Sequence, residues 1–117
     1  MIIGIGADII EVQRIKNLAE KSPRFLKRVF TSQEIQYSHL KKNRYQHLAA
    51  RFAAKEAFFK ALGRKIRWTE VGVVNLSSGK PTLEFSTPEL LPFDAAQVSL
   101  SHLQHYALAF VILEKLK

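Results

Sequence analysis

The sequence predicts an α+β fold, with helices in the N-terminal half packed on a mainly antiparallel sheet. Two observations carry this. Apolar residues recur at helical spacing up to Leu62, and from Val71 onward the period drops to two. No segment of the 117 residues repeats and none reads as a linker, so residues 1–117 are expected to form one domain that buries roughly two thirds of its unfolded surface.

Met1 to Ala7 alternates as a strand, with Ile3, Ile5 and Ala7 on one face and Gly4, Gly6 and Asp8 on the other. Asp8 is therefore expected to end a strand whose own face is stripped of side chains. Residues 10–21 place Val12, Ile15, Leu18 and Ala19 on one helical stripe, with Arg14 and Lys16 off it. Pro23 then opens a short basic amphipathic segment carrying Arg24, Lys27 and Arg28. In "TSQE", Thr31 and Glu34 form a capping box that starts a helix running to about Leu40. After the polar "KKNRYQ" the longest helix is expected over 49–62, closed by Gly63, with Arg64 and Lys65 near its negative end. "VGVVNL", "TLEF", "QVSLSH" and "YALAFVIL" read as strands, with "SSGKP" as a hairpin turn and "STPELLPFD" as a looser loop. The first strand is placed to join their sheet.

The absence of cysteine excludes disulfides, thiolate metal sites and thiol nucleophiles together, and fits a cytoplasmic protein. The apolar start is broken by glycines and an acid and is too short to span a bilayer. Eighteen Lys and Arg against ten Asp and Glu give a net charge of +8, which points to an anionic partner. Nucleic acid, a phosphorylated small molecule, an acidic protein and a membrane surface all satisfy the charge alone.

On the helix of residues 49–62, Arg51 and Lys55 share one stripe, and Glu56 and Lys60 another. The plain reading is two solvated i,i+4 arrangements, the Glu56–Lys60 pair contributing a few tenths of a kcal/mol. Against it stand Ala49, Ala50, Ala53, Ala54, Ala57 and Ala61, which separate the charges and allow another backbone or a ligand to come close. A carboxylate in such surroundings is costly unless paired or metal-bound. Asp8 offers a second hard oxygen ligand, and two carboxylates beside cations suit Mg²⁺ and a diphosphate.

Other motifs are weaker. "GIGAD" lacks the third glycine of a dinucleotide fingerprint, and "SSGKP" has Pro81 where a P-loop needs Ser or Thr. Lys80 at the tip of that turn can still reach a phosphate. His102 closes "VSLSH" at a strand end, whereas His39, His47 and His105 have no metal-ligand spacing with it, so no zinc is expected. Taken alone, His102 reads as structural.

"GIGADIIEVQRI", "RFAAKEAFFKALG", "NLSSGKP" and "VSLSHLQHYALAFVI", in this order, resemble the bacterial holo-acyl-carrier-protein synthases, the small single-domain type of 4′-phosphopantetheinyl transferase. The likeness runs from Ile3 to Ile112. It implies a 4′-phosphopantetheinyl transferase-like fold and transfer of phosphopantetheine from coenzyme A to a serine of an acyl carrier protein. Adenosine 3′,5′-bisphosphate would leave, and the product would serve fatty acid biosynthesis. By the same resemblance Asp8 and Glu56 hold Mg²⁺ and Lys60 contacts the diphosphate. Arg44, Arg51 and Phe52 help hold coenzyme A, Gly63 lets the backbone approach it, and Lys80 lies near its 3′-phosphate end. His102 sits beside the diphosphate. Arg14, Arg24 and Arg28 dock the acidic carrier protein, and the assembly is a homotrimer with sites between subunits. The resemblance implies neither nucleic acid nor membrane as a partner.

For the serine proton, Glu56, a water held by the cation and His102 are all candidates. Two rivals come from other classes. A small basic nucleic-acid module is suggested by "YSHLKKNRYQ", but it gives Asp8 and Glu56 no role. An interaction protein without an active site would leave Glu56 as a helix pair partner and show no Mg²⁺ dependence.

Overall fold

The computed structural model describes residues 1–116. It runs β1 (Ile2–Glu11), α1 (Val12–Lys21), α2 (Pro23–Val29), α3 (Ser32–His39), α4 (Arg44–Leu62), β2 (Val71–Asn75), β3 (Pro81–Phe85), β4 (Ala95–His102) and β5 (Tyr106–Glu114). Single 3₁₀ turns lie at Trp68–Glu70, between α4 and β2, and at Pro88–Leu90, between β3 and β4. β5 is central in a three-stranded antiparallel sheet of order β1-β5-β4, so the N-terminal strand does join the C-terminal ones. The remaining pair, β2-β3, is a separate antiparallel hairpin rather than part of one continuous sheet. Its turn contains Gly79 at φ 92°, a conformation that favours glycine.

The expected helix signals hold in detail. Thr31 and Glu34 form the reciprocal capping box, and Gly63 ends α4 in the left-handed conformation at φ 86°. Two boundaries differ. β1 continues past Ala7 because its backbone keeps pairing with β5 as far as Glu11 opposite Tyr106, so Asp8 lies mid-strand opposite Ala109. α4 starts at Arg44, because the polar residues read as a loop stand at its exposed end, where water serves them.

Gly4 and Gly6 explain how α4 lies on the sheet. A Cβ on Gly6 would overlap the carbonyl oxygen of Ala57, and one on Gly4 that of Ala61. Helix backbone therefore rests directly on strand backbone. Of the two uses expected for the alanines, close approach of another backbone is the one found at Ala57 and Ala61: Ala57 is fully buried, and β1 of the same chain fills the clearance there, leaving none at these two positions for coenzyme A or a second subunit.

Around this contact Ile15, Phe30, Phe58, Val71, Val111 and Leu113 close the core. The other face of the β1-β5 pair is bare, with Ile3, Ile5, Ile9, Tyr106, Leu108 and Phe110 each 41–65% exposed. Among the described residues no helix is long and apolar enough to cross a membrane.

Candidate active site

The glycine-to-alanine contact sets which side chains of α4 reach β1. Asp8 follows Gly6 on the strand face turned to the helix, while Lys60 lies on the α4 stripe beside Ala57 and Ala61. Lys60 Nζ donates to the Ala7 carbonyl at 3.0 Å and to Asp8 Oδ1 at 3.2 Å. The Lys60 side chain is 56% exposed and that of Asp8 16%, so the pair stands at the rim of the core, open to solvent on one side. A pair so placed is worth about 1 kcal/mol at most, weak enough to be rearranged by a ligand.

Glu56 lies one turn N-terminal of Lys60 on the same stripe, half-buried. The i,i+4 ion pair that the spacing allowed is not formed, because Lys60 is turned to Asp8. Among the described residues Glu56 enters no ion pair. Asp8 and Glu56 thus present hard carboxylate oxygens on adjoining elements, a donor set that fits Mg²⁺. Among the described residues no group of three or more His, Cys, Asp and Glu comes together, so further ligands would be substrate oxygens and water, as Mg²⁺ commonly takes.

The other stripe of α4 also departs from the solvated reading. Arg51 is 2% and Lys55 0% exposed. Lys55 Nζ lies 2.7 Å from Glu34 Oε1 and donates to the carbonyls of Val29 at 2.7 Å and Trp68 at 3.0 Å. Glu34 also accepts the backbone N–H groups of Thr31 and Val73. Burial pushes the Lys55 ammonium below its ordinary pKa, and the Glu34 carboxylate opposes that shift. This buried pair fixes the rotation of α4 and so the direction in which its neighbour Glu56 faces.

Arg51 stacks on Tyr37, its guanidinium carbon 4.1 Å from the ring centroid, and donates to Asn75 Oδ1 at 2.5 Å. Asn75 in turn donates to the Gly79 carbonyl at 2.9 Å, tying α4 to the β2-β3 turn. Burial pushes the Arg51 pKa down, against the pull of Tyr37 and Glu34. Tyr37, Lys41, Arg51, Asn75 and Gly79 line a cleft of about 470 Å³. Lys80 is exposed beside it, at the tip of the turn.

At the far end of β4, His102 Nδ1 lies 2.8 Å from Gln46 Oε1. His47 packs edge-on against His102 at 4.9 Å between ring centroids, and against Tyr37 at 5.5 Å. Burial, followed by the nearby His102, Arg51 and Lys41, lowers the pKa of His47 from 6.5 to about 4.

The predicted residues therefore fall into groups. Asp8 and Lys60 meet at the crossing of β1 and α4, with Glu56 one turn before Lys60 on that helix and Gly63 closing it. Arg51 and Lys80 flank the cleft, and His102 is joined to the first turn of α4. Arg44 is exposed, its Nη1 3.4 Å from His39 Nδ1. Phe52 stacks on Trp68 at 5.1 Å and packs near Phe25, within the aromatic core. Arg14, Arg24 and Arg28 are exposed on α1 and α2. Sequence reasoning missed Gln46, Asn75 and Tyr37, whose roles come from contacts across 24 residues or more in the first two cases. Asn75, just before a Gly-containing turn, carried a local signal.

A family model described as the 4′-phosphopantetheinyl transferase superfamily matches residues 4–111. The holo-[acyl-carrier-protein] synthase of Halalkalibacterium halodurans is 43% identical, the alignment covering 99% of this chain and 98% of the relative. That of Clostridium tetani is also 43% identical, with 97% of each chain covered. Among solved structures, the holo-[acyl-carrier-protein] synthase of Neisseria meningitidis aligns with a TM-score of 0.88 at 34% identity, covering 98% of this chain and all of that one. The Bacillus anthracis synthase, solved in complex with CoA (3′,5′-ADP), gives a TM-score of 0.85 at 37% identity, with 98% of each chain covered. The chain belongs to the 4′-phosphopantetheinyl transferase superfamily and, within it, to the holo-[acyl-carrier-protein] synthases, and it is a transferase.

Proposed function

We propose that residues 1–117 act as one transferase domain that moves 4′-phosphopantetheine from coenzyme A to a serine hydroxyl of an acidic apo acyl carrier protein. The observation that carries this reading is the crossing of β1 and α4, where Lys60 bridges to Asp8 beside the free carboxylate of Glu56. The coenzyme A bound to the Bacillus anthracis relative supports the choice of donor.

In the transfer, the serine oxygen forms a bond to the phosphorus that bears pantetheine, and the bond from that phosphorus to adenosine 3′,5′-bisphosphate breaks. The serine proton passes to an acceptor in the site, for which Glu56, a water held by the cation and His102 are the candidates. Asp8 and Glu56 would hold Mg²⁺, which would supply charge neutralisation of the diphosphate. Lys60, released from Asp8, adds a mobile cation to the leaving phosphate. Lys80 and Arg51 provide positive charge along the cleft for the 3′-phosphate end of coenzyme A. Arg44 offers a further cation at the N-terminus of α4, while Phe52 supports the wall from the aromatic core. Gly63, without a Cβ, lets the donor lie against the end of α4.

The exposed Arg14, Arg24 and Arg28 give the acidic carrier a docking face and speed encounter at low salt. The bare apolar face of β1 and β5 is covered by further copies of the chain in a homotrimer, which sets sites at subunit boundaries. This reading places the protein in the cytoplasm, serving fatty acid biosynthesis.

The test is to incubate the protein with coenzyme A, Mg²⁺ and an apo acyl carrier protein, and to follow the carrier by mass spectrometry. A pantetheine adduct on the serine is expected. Its absence with folded protein overturns the reading.

A further inference from the structure

Gln46 stands three residues after Asn43, the residue that precedes the first turn of α4, at the spacing where Gln often reaches back to cap a helix. Here no side-chain cap forms. Gln46 Oε1 instead meets His102 Nδ1 at 2.8 Å, and the Asn43 side-chain amide donates to the same oxygen at 3.3 Å. The capping bond is absent, and the same oxygen serves a local side-chain contact and a link across 56 residues. Such departures from local rules concentrate at functional sites.

The chemistry of the contact is selective. An amide carbonyl oxygen only accepts, so the hydrogen between the two groups belongs to Nδ1 of His102. A neutral imidazole carries one N–H, and its lone pair is then left on Nε2. His47, edge-on at 4.9 Å, packs against the same ring.

We propose that Gln46 is a positioning residue that fixes His102 in its Nδ1–H tautomer, making Nε2 the ring atom available to the transfer reaction. This rests on the reading of His102 as a member of the transfer site. As the serine oxygen bonds to phosphorus and adenosine 3′,5′-bisphosphate leaves, Nε2 receives the serine proton. The ring then holds two N–H groups, one on Gln46 and one free to donate to a phosphate oxygen.

The tautomer is read without activity, from long-range ¹⁵N–¹H correlations of the histidine rings in the full-length protein at about pH 8, above the ordinary imidazole range. His102→Ala assigns the signals. Wild type is expected to show a protonated Nδ1 and an unprotonated Nε2. Gln46→Glu, which also accepts a hydrogen bond, keeps this pattern, and Gln46→Met loses it while retaining the wild-type circular dichroism spectrum. A protonated Nε2 in wild type, or an unchanged pattern in Gln46→Met, overturns the proposal. In the transfer assay Gln46→Met is expected to lose kcat on the order of 10-fold with little change in KM for coenzyme A, and Gln46→Glu to recover most of it. Full kcat in His102→Ala would instead overturn the reading of His102 on which the proposal rests, whatever the tautomer proves to be.

Discussion

Lys60 reaches across from α4 to β1 and places its ammonium 3.2 Å from Asp8 Oδ1, passing over the carboxylate one turn away on its own helix. The pair joins two segments 52 residues apart and leaves Glu56 free to bind a cation. Its geometry depends on the bare backbone of Gly4 and Gly6, since any side chain there would lift the helix from the strand.

Gly6→Ala tests that dependence. The added methyl would overlap the Ala57 carbonyl, so α4 must move away from β1. We expect destabilisation of about 1–3 kcal/mol and a larger proportional loss of transfer, because Glu56 and Lys60 on α4 are carried away from Asp8 on β1. Urea unfolding and transfer rates measured on the same preparation check both. A variant with unchanged stability would contradict the backbone contact.

Lys55→Met leaves Glu34 charged and buried. Breaking such a pair costs about 3–5 kcal/mol, which corresponds to a fall in Tm of roughly 10–20 °C. Adding Glu34→Gln should recover part of this, since it removes the unpaired buried charge while the amide oxygen still accepts one of the two N–H groups, of Thr31 or of Val73. Calorimetry of the single and double variants decides it. If the double variant is less stable than Lys55→Met, the buried-charge argument is wrong.

His47 makes stability depend on pH. Its pKa falls from 6.5 to about 4 on folding, so between those values the unfolded chain binds more protons. Stability should therefore drop as pH is lowered through that window, with a slope below about 1.4 kcal/mol per unit because the ring is only partly buried. His47→Leu should flatten this part of the curve in urea titrations. An unchanged slope would show that His47 protonates equally in both states.

The apolar face of β1 and β5 predicts assembly. Phe110→Glu places a charge at the middle of that face, opposite Ala7 and Ser99, and should convert an oligomer to monomers in sedimentation equilibrium. A wild-type protein that sediments as a monomer would remove the homotrimer from the account.

Much of this was legible before the fold. Thr31 with Glu34, Gly63 and the alternating strands are signals carried by residues a few positions apart, and those elements stand close to where they were expected. Periodicity could also pair Glu56 with Lys60, but it could not show that Lys60 turns to a strand 52 residues earlier. The alanines left open whether a backbone or a ligand comes close, because nothing local shows that Gly4 and Gly6 of β1 lie against them. Arg51 and Lys55 looked solvated for the same reason: their partners, Asn75 and Glu34, lie 24 and 21 residues away. Gln46 carried only a local capping spacing after Asn43, which gives no hint of His102 56 residues away.

The account's central claim is that Asp8 and Glu56 together hold the Mg²⁺ used in transfer. Its most direct test is an Mg²⁺ titration of transfer by wild type, Asp8→Asn and Glu56→Gln, each first shown to have native circular dichroism. The account predicts that chelation stops the wild-type reaction and that both variants lose on the order of 100-fold or more in rate at limiting Mg²⁺. Near wild-type rates for both variants at limiting Mg²⁺, or wild-type transfer that persists in excess chelator, would contradict it.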